Sequence, residues 1–132
     1  MADKKYTIML VDDEIDITEA LNEGLEDEFE ILTANSGEDA ISKMSQHFDL
    51  IVCDMRMPGI QGYEVLQKVV AKDESIRRIL LTGFADLEAA KAAIELGKIH
   101  RYESKPINLE KLKTVILEEL ENSNKQKAGS NK

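Results

Sequence analysis

Three short stretches, Ile8-Met9-Leu10-Val11, Leu50-Ile51-Val52-Cys53 and Ile79-Leu80-Leu81, are apolar at every position. A strand with one face in water alternates apolar and polar residues. A run that is apolar throughout has both faces covered, the condition of a parallel sheet with helices above and below it. Two more polar segments, Phe29 to Ala34 and Ile99 to Glu103, read as further strands nearer the sheet edges.

Between these runs the period changes to that of a helix. Ile17, Leu21 and Leu25 recur at every fourth position, with Asp16 and Glu19 as a capping pair. Ala40, Ile41, Met44 and Phe48 form a second stripe after Ser36-Gly37, and Val65, Leu66, Val69 and Val70 a third. Asp86 caps an alanine-rich fourth helix that stops at Gly97, and Asn108 caps a fifth carrying Leu109, Leu112, Ile116 and Leu120. Five strand-helix pairs in strict alternation predict an α/β fold, a parallel sheet with right-handed crossovers. Five strands cannot close an eight-stranded barrel, so the expectation is an open, doubly wound sheet.

The 132 residues make one domain, expected over 1–122, and 123–132 read as a polar flexible tail or the start of a linker. Seventeen Lys and Arg against 26 Asp and Glu leave a formal charge of −9, which argues against direct nucleic-acid or anionic-membrane binding. No apolar run exceeds four residues, far short of the ~20 that span a bilayer. The opening Met-Ala-Asp-Lys-Lys has no apolar stretch, and a single cysteine cannot form an internal disulfide. A cytoplasmic location is expected.

Ligands of an open parallel sheet collect at the carboxyl ends of its strands. Here the first strand ends in Asp12-Asp13, the third in Asp54 and the fourth in Thr82-Gly83, while the fifth runs into Lys105-Pro106. Three crowded carboxylates resist joint ionisation unless a cation or proton offsets them. Their oxygens suit a hard divalent ion, and Mg²⁺ keeps waters and leaves room for phosphate oxygens. The Thr82 hydroxyl and Lys105 ammonium can hold the other oxygens of a phosphoryl group, and Gly83 lets a backbone N–H approach. The set reads as an acceptor carboxylate, a metal site and a phosphoryl cradle. Each residue taken alone has an ordinary alternative: Asp12-Asp13 as a helix-start acidic pair, Lys105 as a loop lysine, Tyr102 as a packing residue. Cys53 reads as a buried thiol, His47 and His100 as surface residues, and Met55 and Met57 as cover for the acceptor.

Val11-Asp12-Asp13-Glu14, Asp54-Met55-Arg56-Met57-Pro58-Gly59, Leu81-Thr82-Gly83 and Lys105-Pro106, in this order, resemble the four signatures of response-regulator receiver domains of bacterial two-component signalling. The resemblance covers about residues 6–121. It implies the flavodoxin-like (βα)5 fold of chemotaxis-type regulators, with strand order 2-1-3-4-5. It implies that Asp54 accepts a phosphoryl group from a sensor histidine kinase or histidine phosphotransfer protein. Asp13, Asp54 and the backbone carbonyl of Arg56 would ligate Mg²⁺, Asp12 acting through water. Thr82 and Lys105 would contact the phosphoryl group, the Lys105–Pro106 bond would be cis, and Tyr102 would be the switch aromatic. An output domain or second copy would dock on the face of the fourth helix, fifth strand and fifth helix. Such a domain is a phosphoacceptor that takes part in its own phosphotransfer and dephosphorylation, not an enzyme acting on other substrates.

Two positions depart from commoner receivers. Arg56 and Phe84, each two residues beyond a signature residue, are large and would flank the phosphoryl group, hindering water. Two other classes fit less well. Aspartyl-nucleophile phosphatases and phosphotransferases of related fold want an acid-base Asp where Arg56 stands. A flavin carrier needs a Gly/Ser/Thr phosphate loop where this chain has Asp-Asp-Glu-Ile-Asp.

Overall fold

The computed structural model of the chain describes residues 5–96 and 98–130. Strands and helices alternate: β1 (Thr7–Val11), α1 (Ile15–Leu25), β2 (Glu30–Ala34), α2 (Gly37–Ser42), β3 (Leu50–Asp54), α3 (Gly62–Lys72), β4 (Arg77–Thr82), α4 (Leu87–Glu95), β5 (Arg101–Ser104) and α5 (Leu109–Ser130). The five strands form one sheet in the order β2-β1-β3-β4-β5, and every pairing is parallel. The fold class and strand order are those expected.

The runs that are apolar at every position are buried on both sides, because successive side chains of a strand point to opposite faces. Met9, Val11, Ile51, Cys53 and Leu80 meet Val65, Leu66 and Val69 of α3 and Ala90 and Ala93 of α4. Ile8, Leu10, Leu50, Val52, Ile79 and Leu81 meet Leu25 of α1 and Leu112, Val115 and Ile116 of α5. Among the described residues, no helix is long and apolar enough to cross a membrane.

Local details correct several expectations. The N-cap position of α1 is Glu14, not Asp16, which sits in the first turn, and the Glu14 side chain makes no capping bond; the Glu14 N–H donates to Asp12 Oδ1 at 2.9 Å. Strand β5 begins at Arg101 because Ile99 turns into the core and the His100 N–H reaches the Arg78 carbonyl at 2.8 Å. Asn108 does cap α5, accepting the Lys111 N–H at 2.7 Å. Helix α5 continues to Ser130, through most of the segment expected as a tail, since its polar residues include good helix formers and no proline. Residues 131–132 of that segment, and Gly97, the expected stop of α4, lie outside the described residues.

His100 is not a surface residue. It is half-buried, and its Nδ1 accepts the Arg78 N–H at 3.0 Å, a bond that needs a neutral ring. Burial, with Arg78 and Arg77 nearby, pushes its pKa down to about 4. Its contribution to stability is therefore complete above the ordinary histidine pKa and is lost as pH falls from there through about 4. An NMR titration should find this imidazole neutral until about pH 4; protonation near pH 6.5 would contradict the role given to the Arg78 bond.

Candidate functional site

The acidic residues gather where β1 and β3 end side by side. Val11 pairs with Cys53 in the sheet, so the residues that follow, Asp12 just past β1 and Asp54 at the end of β3, stand side by side. Carboxylate oxygens of Asp12, Asp13 and Asp54 lie within 4.8 Å of one another. Asp12 and Asp54 are buried and Asp13 is exposed. The Lys105 ammonium sits 3.2 Å from Asp54 Oδ2, 3.4 Å from Asp12 Oδ2 and 3.9 Å from Glu14 Oε1. The Lys105–Pro106 bond, expected as cis, is cis.

Burial pushes the Asp54 carboxyl up to about 6 although Lys105 pulls it down, with Asp12 and Asp13 adding repulsion. Lys105 itself is held above the ordinary lysine range: burial lowers it, but attraction to Asp54 and Asp12 prevails. The pocket thus concentrates negative charge that one ammonium does not balance. Three hard oxygen donors, one of them open to solvent, fit a divalent ion such as Mg²⁺. Titration with Mg²⁺ should show binding that weakens at least several-fold in Asp13→Asn, read by NMR shifts of residues 12–14 and 54–56; equal affinity in the variant would remove Asp13 from the ion's shell.

Thr82 lies one residue beyond Leu81, the sheet partner of Asp54. It is fully buried, its hydroxyl 3.4 Å from Met55 Sδ and 3.2 Å from the Gly83 carbonyl. Tyr102 is half-buried, paired with Leu80 in register and packed on the α3/α4 side of the core. Among the neighbours, Met57 is buried within that core, and the Arg56 guanidinium turns to Asp86 at 2.7 Å. Arg56 holds the Asp86 carboxyl below the usual carboxylate range. Cys53 is buried, as expected, and burial raises its thiol.

Sequence reasoning missed Gly62. A Cβ there would stand 2.2 Å from the Asp54 carbonyl and 2.9 Å from Met55 Cα, while its N–H donates to the Met55 carbonyl at 2.9 Å. The start of α3 therefore presses on the acceptor's own backbone, and only glycine permits that approach. Its signal was there to find: a second glycine three residues after Pro58-Gly59, with no turn of its own to explain it.

An open parallel sheet carrying a carboxylate cluster, a buried hydroxyl and a lysine at its carboxyl edge suits a protein that handles phosphoryl groups. A family model for the response regulator receiver domain matches residues 8–117, and the chain belongs to that family. It is 30% identical over 111 residues to sporulation initiation phosphotransferase F of Bacillus subtilis, covering 83% of this chain and 89% of that protein. It is 37% identical over 107 residues to the hydrogenase transcriptional regulatory protein HoxA of Cupriavidus necator, covering 80% of this chain but 22% of the relative. Among solved structures, a CheY-like response regulator receiver domain protein from Methanospirillum hungatei superposes with a TM-score of 0.86 at 26% identity, over 93% of this chain and 99% of that one. A structure described as adenylate cyclase from Rhodopirellula baltica does so with a TM-score of 0.90 at 30% identity, over 97% and 96%. The chain spans 22% and 31% of the length of HoxA and of a cyclic di-GMP phosphodiesterase of Thermotoga maritima, so it matches one part of such proteins. It is a phosphoacceptor signalling domain of two-component regulation.

Proposed function

We propose that Asp54 is the phosphoacceptor, that Asp13, Asp54 and the Arg56 backbone carbonyl hold Mg²⁺ with Asp12 acting through water, and that Thr82 and Lys105 bind the phosphoryl oxygens. The observation that carries this reading is the position of Lys105, 3.2 Å from Asp54 and 3.4 Å from Asp12, inside a cluster of three carboxylates. A sensor histidine kinase or histidine phosphotransfer protein supplies the group. An Asp54 oxygen attacks phosphorus, the P–N bond of the phosphohistidine breaks, and its electron pair goes with a proton to the imidazole. Bound Mg²⁺ offsets charge as the anionic donor meets the acidic edge. Lys105 neutralises an oxygen of the transferred group, and the domain takes part in removing that group by hydrolysis. The receiver unit comprises residues 1–122, acts in the cytoplasm, and signals through α4, β5 and α5 to an output domain or a second copy.

With Mg²⁺ and acetyl phosphate the protein should gain one phosphoryl group, labile to hydroxylamine, at Asp54. Mass spectrometry placing it on Asp12 or Asp13 would overturn the assignment.

The Thr82 hydroxyl, resting against Met55 and Gly83, is the mobile contact. Drawn to a phosphoryl oxygen, it vacates space into which Tyr102 turns. One charge-assisted hydrogen bond contributes about 1.5–3 kcal/mol. Moving a two-state equilibrium from 1:99 to 99:1 takes about 5.5 kcal/mol, so Lys105 must share the work. Thr82→Ala should therefore still accept phosphate on Asp54 yet show much smaller NMR shifts at Tyr102 on phosphorylation. Full wild-type shifts across residues 85–96 and 98–108 would refute this coupling.

A further inference from the structure

Asp86 stands at the N-cap position of α4, yet its carboxylate caps nothing there. Its backbone, at φ −107° and ψ 10°, lacks the extended conformation of a capping residue. The carboxylate is engaged elsewhere: Oδ1 and Oδ2 accept Arg56 Nε–H at 2.8 and 2.9 Å, and Oδ1 lies 2.7 Å from Nη2. Asp86 is 11% exposed in its side chain and Arg56 74%, so the cation is the movable partner. This pair ties the loop two residues past Asp54 to the turn four residues past Thr82. Both segments follow strands that end at the edge holding the carboxylate cluster.

Resting on the reading of Asp54 as phosphoacceptor, we infer that Arg56 is a phosphoryl-responsive latch: Asp86 holds it while Asp54 is bare, and a phosphoryl group on Asp54 draws it away, releasing Asp86 to cap α4. Two residues separate the alpha carbons of Asp54 and Arg56 by at most about 7 Å, within the span of an extended arginine. A phosphoryl group offers nearly two charges and three acceptor oxygens, and it outcompetes one partly solvated carboxylate for a guanidinium. Once released, Asp86 can accept an N–H of the first turn of α4, which requires the 3-10 turn at Phe84–Asp86 to rearrange. The start of α4, first element of the signalling face, thereby senses Asp54 by a route separate from Thr82 and Tyr102. Asp86 is a positioning residue that acts through Arg56.

Binding of beryllofluoride with Mg²⁺, followed by NMR, tests the latch in wild type, Asp86→Asn, Asp86→Glu, Arg56→Ala and the Arg56→Ala/Asp86→Asn pair. Asp86→Asn should bind about threefold tighter than wild type, because its amide can cap α4 but holds the guanidinium only by an uncharged, weaker hydrogen bond. Asp86→Glu, which keeps the carboxylate, should stay near wild type. In the Arg56→Ala background the Asp86→Asn change should have no effect. Amides of residues 86–90 in unliganded Asp86→Asn should lie part-way towards their positions in the wild-type complex. Equal affinity of wild type and Asp86→Asn would overturn the latch. So would a threefold gain that persists in the Arg56→Ala background, since it would report only the loss of a negative charge. If wild type fails to bind, or binds equally well as Asp54→Asn, the phosphoacceptor reading itself falls.

Discussion

Replacing Glu119 by alanine should lower the unfolding free energy by about 3–4 kcal/mol. Glu119 on α5 is 4% exposed and Arg77 at the start of β4 is 5% exposed, joined with Nη2 to Oε1 at 2.7 Å and Nε to Oε1 at 3.2 Å. Arg101 adds a more distant contact to Glu119 Oε2 at 3.7 Å. Truncating the carboxylate takes the Glu119 counter-charge from a desolvated guanidinium, which is why breaking such a pair is far more destabilising than losing a surface one. Urea unfolding monitored by circular dichroism gives the number, and a loss below 1 kcal/mol would show that water replaces the carboxylate. Arg77→Met combined with Glu119→Leu should recover most of the loss, because a packed apolar pair removes both desolvated charges. The pair lies at the amino end of the sheet, away from the carboxylate cluster, so Asp54 labelling of folded protein should be unchanged in either variant.

The opposite sign is expected at the site. Without divalent ions at pH 7.5, Asp54→Asn should be more stable than wild type by about 1–2 kcal/mol. Three carboxylates share one corner with a single ammonium, and the Asp54 carboxyl rises to about 6 in the folded protein. The native state thus binds a proton more readily than the unfolded chain. Stability from this group is complete below the ordinary aspartate pKa and declines as pH rises through about 6. The advantage of Asp54→Asn should accordingly shrink between pH 7.5 and pH 4. Lys105 keeps Asp12 as a partner in the variant, 3.4 Å away, so no ammonium is stranded. Mg²⁺ should stabilise the wild type and hardly affect Asp54→Asn, since an ion that binds only the folded state adds stability by mass action. A less stable Asp54→Asn at pH 7.5 would mean that the Lys105 contact outweighs the repulsion. The site concentrates charge for chemistry at the expense of the fold.

Much of this was legible in the residues themselves. Runs such as Ile8 to Val11 and Leu50 to Cys53 are apolar at every position because both faces of their strands are covered, and that alone specified a parallel sheet. Strand ends then located Asp12, Asp13, Asp54, Thr82 and Lys105 at one edge, since chain direction is common to all five strands. Other features depended on partners distant in sequence. Asp86 has the composition of a helix cap, and only the approach of Arg56, 30 residues earlier, turned its carboxylate away from α4. His100 looked like a surface residue until the Arg78 N–H, 22 residues away, claimed its ring nitrogen. Gly62 became necessary only because α3 packs on the Asp54 backbone. Periodicity and strand ends are local properties that a sequence carries outright. Which of two partners a polar side chain chooses is settled by distances between elements, and those exist only once the sheet and helices have packed.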